Sequence, residues 1–117
     1  MNDFKKLTVL NNSIDLVTEL YKLTETFPKS EIYGLTNQMR RCAISISSNI
    51  AEGAGRGTNG EFKLFLGYAY GSCCELETQL IIANKLNYIG TDNLNQVSTR
   101  LYQIEKIIYK LIESKTN

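Results

Sequence analysis

Residues 38–56 read QMRRCAISISSNIAEGAGR, and two patterns interleaved in this stretch decide the fold. Leu35, Met39, Cys42, Ile46 and Ile50 recur at three- and four-residue spacing, the period of a helix laid against a core. Gln38, Arg41, Ser45, Asn49, Glu52 and Arg56 recur at the same spacing, and at roughly 100° per residue they fall within an arc of about 60 to 80° beside the apolar face. A solvated helix face is rich in Lys and Glu. This stripe instead mixes short hydrogen-bonding groups with arginines and has Ile44 and Ala51 on its far side, so it is expected to be at least partly buried.

Three further helical segments extend outward from this one. The first is predicted from about Thr8 or Asn12 to Thr26, with Leu10, Ile14, Val17 and Tyr21 on one line and Leu16, Leu20, Leu23 and Phe27 on a neighbouring one; Pro28 stops it. Residues 28–34 lead to the second helix, expected over 35–54 and ended by the glycines of GAGRG. Thr58 and Glu61 have the T-x-x-E spacing of a capping box, in which each side chain accepts from an unpaired backbone N–H. The third helix is predicted to run from there to about Leu86, with Phe62, Phe65, Leu66, Ala69, Cys73, Leu76, Leu80 and Ala83 inward. Asn87 to Gly90 breaks it. Thr91 and Asp92 suit a new N-cap and first turn, and Leu94, Val97, Leu101, Ile104, Ile108 and Leu111 continue the last helix. The alternation in ISIS, Ile44 to Ser47, is short and embedded in a helical pattern, so it reads as helix. The fold class predicted is all-α, a single domain over residues 1–117 forming an antiparallel up-down-up-down four-helix bundle.

Composition narrows the function. Hydrophobic residues make up 43% of the 117 residues and Pro occurs once, a balance that excludes disorder and low complexity. The net charge of +1, from 13 basic and 12 acidic residues, supplies no global field toward nucleic acid or an anionic membrane. Cys42, Cys73 and Cys74 lack C-x-x-C spacing and sit in helical patterns, which points to reduced thiols and a cytoplasmic location. No run of about 18 apolar residues marks a membrane span, and the N-terminal sequence has no signal-peptide pattern. Histidine is absent, which removes the usual general base and the commonest nitrogen ligand for metals.

Catalytic constellations are correspondingly thin, and neither a cofactor nor a metal is expected. Glu75 and Glu77 are two apart on a helix and point about 200° away from each other, so they do not act as a carboxylate pair within one chain. Diiron bundles use Glu-x-x-His motifs, which a chain without histidine does not contain. Ser45, Ser47 and Ser48 lack a basic partner and a strand-to-helix elbow. GAGRG follows a helix rather than a strand and lacks the GK[ST] ending of a phosphate loop, so helix termination is its expected role.

The polar stripe has a counterpart on the third helix in Tyr68, Ser72, Glu75 and Gln79. Antiparallel pairing about a turn near Thr58 sets Asn49 across from Tyr68, Ser45 from Ser72, Arg41 from about Glu75 and Gln38 from Gln79. The leading expectation is therefore an inter-helix polar network of Gln38, Arg41, Ser45, Asn49, Glu52, Ser72, Glu75 and Gln79, in which an Arg41–Glu75 pair fixes register more than it adds stability. Gly67 and Gly71 stand four apart on the side of the third helix away from the core, where small residues permit close backbone approach. With Tyr70, Cys74 and Ile81 they form a candidate subunit interface. Lys5, Lys6, Arg40, Arg56 and Lys63 are the candidate contacts for nucleic-acid phosphates or for a partner. Tyr21, Tyr102 and Tyr109 read as amphipathic core-edge residues rather than base-stacking platforms.

FPKSEIYGLTNQMRRCAISISSNIAEGAGR, followed by EFKLFLGYAYGSCCELETQLIIANKLNYI, resembles the family named after proteins encoded in 23S rRNA intervening sequences, over residues 4–114. The elements FPKSE, SNIAEG and GS-x-x-ELE, in that order, carry the resemblance. It implies an antiparallel four-helix bundle that assembles as a homopentamer and has no enzyme activity. The related accessory variability determinant of diversity-generating retroelements is a markedly basic pentameric barrel that engages reverse transcriptase and nucleic acid. By analogy it implies a role with RNA or an RNA-handling protein, although this chain is almost neutral. The function expected is thus that of a non-enzymatic, self-assembling binding or scaffold module without a membrane partner. The alternative is a small-ligand-binding or catalytic bundle built on Arg41, Asn49, Glu52 and Glu75.

Overall fold

Among the residues described by the computed structural model, 4–114, with the side chains of residues 4, 5 and 7 outside that description, the chain forms four α-helices. These are α1 (Phe4–Thr24), α2 (Leu35–Ala54), α3 (Asn59–Lys85) and α4 (Thr91–Ser114), and a short 3₁₀ turn at Lys29–Glu31 lies between the first two. At 1.5 Å per residue α3 is about 40 Å long, and it sets the long axis of a particle measuring 45 × 25 × 19 Å. The helices run up-down-up-down. Each packs against its neighbour in the cyclic order α1, α2, α3, α4, with α1/α3 and α2/α4 diagonal, and the α2/α3 contact is the most extensive.

The apolar period places the core. Met39, Cys42, Ile46 and Ile50 of α2, Phe62, Leu66, Ala69, Cys73, Leu76, Leu80 and Ala83 of α3, and Val97, Leu101, Ile104, Ile108 and Leu111 of α4 are all buried. Phe65 is half-buried at the α2 edge. Helix α1 begins earlier than its pattern predicts and faces the core through Val9, Ser13, Leu16, Leu20 and Thr24. The line containing Ile14 and Tyr21 is instead turned partly to solvent, because two lines of leucines and valines on one helix exceed the width that two neighbouring helices cover.

The helix ends use local chemistry that the sequence only partly signals. Thr58 caps α3 by accepting from the Glu61 backbone N–H at 3.1 Å. The glutamate, however, accepts from the Thr58 hydroxyl at 3.2 Å, in place of the reciprocal backbone bond predicted. At the other end Asn87 adopts a left-handed conformation, φ 63°. Tyr88 N–H bonds to Ala83 O at 2.9 Å and Asn87 N–H to Asn84 O at 3.0 Å, which is a Schellman cap with asparagine at the left-handed position. That turn carries Tyr88 across to the 28–34 connection, where its ring packs on Phe27 with centroids 5.3 Å apart. Its hydroxyl donates to Glu31 Oε2 at 2.9 Å. Glu31 Oε1 in turn accepts from Leu35 N–H at 3.0 Å, supplying the start of α2 with the cap that Gly34 lacks. In α4, Leu94 N–H bonds to Gly90 O, so Thr91 already lies within the helix and Asp92 in its first turn.

Candidate functional site

Short side chains bring α2 and α3 together along the stripe. Ser45 Oγ and Ser72 Oγ are 3.0 Å apart, the pairing expected from antiparallel register. Asn49 Nδ2 donates to Ser45 O at 2.8 Å and to Ser45 Oγ at 3.0 Å. The Cys42 thiol donates to Ser72 O at 3.1 Å and lies 3.7 Å from Glu75 Oε1. Burial first, and then the Glu75 charge, push the Cys42 thiol up to about 12, so it stays protonated and serves as a donor rather than a nucleophile. Serine, cysteine and asparagine are small enough to let two backbones approach while satisfying one another.

The seam ends at its long side chains. Gln38, Arg41, Glu52 and Glu75 are exposed, not partly buried as expected. The predicted Arg41–Glu75 pair does not form: the ion pairs among the described residues are Arg56–Glu52, Arg56–Glu61 and Arg100–Glu19. On the α2 wheel Arg41 lies farther from the core than Ser45 or Asn49, so its three-methylene stem carries the guanidinium into water instead of across the seam. Gln79 is the reverse case, 7% exposed with Oε1 buried and without a partner among the described residues. The exposed Gln38 makes no bond to it. The alternative polar site of Arg41, Asn49, Glu52 and Glu75 is likewise not assembled, because Asn49 turns back to Ser45 and Glu52 binds Arg56 at 2.9 Å.

The basic candidates are largely engaged within the fold. Arg40 donates from Nε to Thr24 Oγ1 at 2.8 Å and from Nη2 to Tyr21 O at 3.3 Å, with its guanidinium 4.5 Å from the Tyr21 ring centroid. It thereby closes the C-terminal turn of α1, where carbonyls are unpaired and the helix dipole favours a cation. Arg56 lies beyond the end of α2, is held by Glu52 and Glu61, and covers the Phe65 ring at 4.9 Å. Lys6 sits over Phe62 at 4.5 Å, Lys63 is half-buried, and the Lys5 side chain lies outside the described residues.

Of the candidate interface residues, Gly67, Gly71, Cys74 and Ile81 are exposed, and a methyl group added at either glycine would meet nothing within 4 Å. Tyr70 differs: it is half-buried against the core and faces α4. Two further features lie on the surface. Leu64 and Tyr68 near the start of α3 and Ile82 and Leu86 at its end, 51, 52, 43 and 48% exposed, leave two apolar pairs on the α2 side of the helix, with Ser72, Glu75 and Gln79 between them. On α4, Tyr102 and Tyr109 are 60 and 53% exposed rather than at the core edge.

The bundle is similar to the crystal structure of a protein with unknown function from the S23 ribosomal protein family of Bacteroides thetaiotaomicron VPI-5482. The TM-score is 0.87 at 20% identity, with 94% of this chain and 99% of that chain covered. No curated protein matches the sequence. The family model described as 23S rRNA-intervening sequence protein matches residues 5–110, and the chain belongs to that family.

Proposed function

We propose that this chain is a non-enzymatic, self-assembling bundle that works as a binding or scaffold module, and that its copies meet through the α2/α3 face. The observation that carries this reading is the pair Leu64 and Tyr68 near the start of α3 and the pair Ile82 and Leu86 at its end, each close to half exposed. Exposed apolar groups at both ends of one helix edge, with Ser72 and Glu75 between them, offer a surface of mixed character to cover. Charge complementarity names the occupant as a second copy. Among the described residues Arg41 has no ion pair and Glu75 has only a thiol contact, so one face offers both a cation and an anion to its equivalent. Gly67 and Gly71 leave the backbone open beside them, which permits close approach.

RNA or an RNA-handling protein is the further partner class implied by the family resemblance. Arg40 and Arg56, the arginines considered for phosphate contact, are committed to Thr24 and Tyr21 and to Glu52 and Glu61 respectively, so assembly is placed before nucleic acid in this reading. Light scattering on the wild-type chain tests it. A mass several times that of the 13.2 kDa chain is expected, falling toward the monomer in Tyr68→Glu. A monomeric wild type at micromolar concentration would defeat the reading.

A further inference from the structure

The turn between α2 and α3 carries chemistry unrelated to assembly. Asn59-Gly60 is the one Asn-Gly pair in the sequence, and it opens α3 immediately after the cap, Thr58. Both residues are exposed, and a methyl group added at Gly60 would meet nothing within 4 Å. Among the described residues the Asn59 side chain makes no hydrogen bond, and the Gly60 backbone N–H has no acceptor, as is usual for the early donors of a helix. An unbonded carboxamide therefore stands next to an unbonded, unhindered amide nitrogen. Asn49 and Asn84 differ. They lie inside helices, their Nδ2 groups donate to Ser45 O and to Ile89 O, and the bulkier Ile50 and Lys85 follow them.

We propose that Asn59 is a site of spontaneous deamidation, closing on Gly60 to a succinimide that water opens to aspartate or isoaspartate. With its proton taken by hydroxide, the Gly60 nitrogen attacks Asn59 Cγ. The N–Cγ bond forms, the Cγ–Nδ2 bond breaks, and Nδ2 leaves as ammonia after taking a proton from water. Water then adds to one of the two imide carbonyls. Breaking the new N–Cγ bond leaves aspartate on an unaltered main chain, whereas breaking the original peptide bond leaves isoaspartate, with the main chain routed through Cβ and Cγ. Nothing is oxidised or reduced. Ring closure requires the Asn59 backbone to leave its helical conformation. In the interior of a helix that rotation breaks hydrogen bonds in the turns on both sides. At the first position it releases the cap, the bonds from Glu61 N–H to Thr58 Oγ1 and from Phe62 N–H to Thr58 O, each 3.1 Å, and helix ends open at the least cost. The two products act oppositely on that cap. Aspartate places a carboxylate in the first turn, where the helix dipole favours it, four residues before Lys63. Isoaspartate lengthens the main chain between Thr58 and Glu61 by a carbon atom and pulls the cap apart.

The full chain is incubated at pH 6 and pH 9 and digested, and its peptides are followed by mass spectrometry, with isoaspartate scored by an isoaspartate methyltransferase. Conversion of amide to acid is expected at residue 59 ahead of residues 49 and 84, and faster at the higher pH. Gly60→Ala is expected to slow it at least about tenfold, because a methyl group crowds the attacking nitrogen and narrows its backbone freedom. Thr58→Ala is expected to speed it about fivefold by releasing the first turn. Thermal melts establish that both variants are folded. Separated by ion exchange, the isoaspartyl fraction is expected to melt below the unmodified chain, and Asn59→Asp no lower than it. Asn59 left intact after weeks at pH 9, conversion at Asn49 or Asn84 at an equal rate, or an unchanged rate in Gly60→Ala would overturn the proposal. A Thr58→Ala rate equal to that of the wild type would overturn first-turn opening as the gate, and an isoaspartyl fraction that melts with the unmodified chain would overturn the effect on the cap.

Discussion

Arg41→Ala is expected to change the stability of the isolated bundle by less than ~0.5 kcal/mol, because the exposed guanidinium has no ion pair among the described residues to lose. The comparison is made by thermal melts in a Tyr68→Glu background, so that assembly does not enter. Ser45→Ala is expected to cost about 1 kcal/mol in the same measurement, since the hydroxyl meets both Ser72 and Asn49. Glu105 adds a pH dependence with a definite sign. Its carboxyl is raised in the folded chain by burial and by Glu77, so the folded state holds the proton more tightly than the unfolded state. Stability is then fully present below the unfolded carboxylate value and is lost as pH rises through the folded one. Glu105→Gln should flatten that limb and leave the protein more stable at neutral pH, which melts at pH 4 and pH 7 would check. The Ser45–Ser72 contact was legible in the sequence because short side chains reach only what register places opposite them. Arg41 was not. Its place on the wheel, farther from the core than Ser45, sets where its Cβ points, but three methylenes and a guanidinium can reach a partner or water from there, and that choice is settled only by the packed structure.

Gly53 explains at the level of the helix pair why the SNIAEG segment ends in a small residue. A Cβ at Gly53 would stand 2.7 Å from Phe65 Cβ and 3.0 Å from Phe62 Cδ1, where α2 and α3 converge on their shared turn. Gly53→Ala therefore has to push the helices apart and is expected to cost about 1–3 kcal/mol, measured by urea denaturation. The glycine-rich stretch announced the end of α2 in the sequence, but this contact needs the crossing of two helices and is invisible in one. The start of α2 depends on Glu31. Its carboxyl is lowered by the Leu35 N–H and the Tyr88 hydroxyl, so the stability it adds is present above the ordinary carboxylate value and is lost as pH falls through the lowered one. Acid unfolding of Glu31→Gln should accordingly lack this component. The Pro28 stop and the apolar period placed α2 correctly from sequence alone. That Glu31 caps it, while reaching Tyr88 across 57 positions, follows from tertiary proximity.

The whole molecule presents two unequal flanks of one helix. On the α2 side of α3, the exposed pairs Leu64 and Tyr68, and Ile82 and Leu86, flank the stretch that carries Glu75; on the α4 side, Glu105 sits in a groove lined by tyrosines and lysines. The bundle itself was readable because four apolar periods and three sets of turn residues agree with one another. The exposed apolar pairs at the two ends of α3 were not, because which edge of the longest helix its neighbours leave uncovered is settled only in the packed arrangement. Among the described residues no helix is long and apolar enough to cross a membrane. The assembly claim is tested most directly by charge exchange across the proposed face, read as mass by light scattering at one protein concentration. Arg41→Glu and Glu75→Arg are each expected to reduce the mass toward that of the monomer, and the double variant to restore the wild-type mass. Single variants that retain the wild-type mass, or a double variant that stays monomeric, would contradict an Arg41–Glu75 contact between copies.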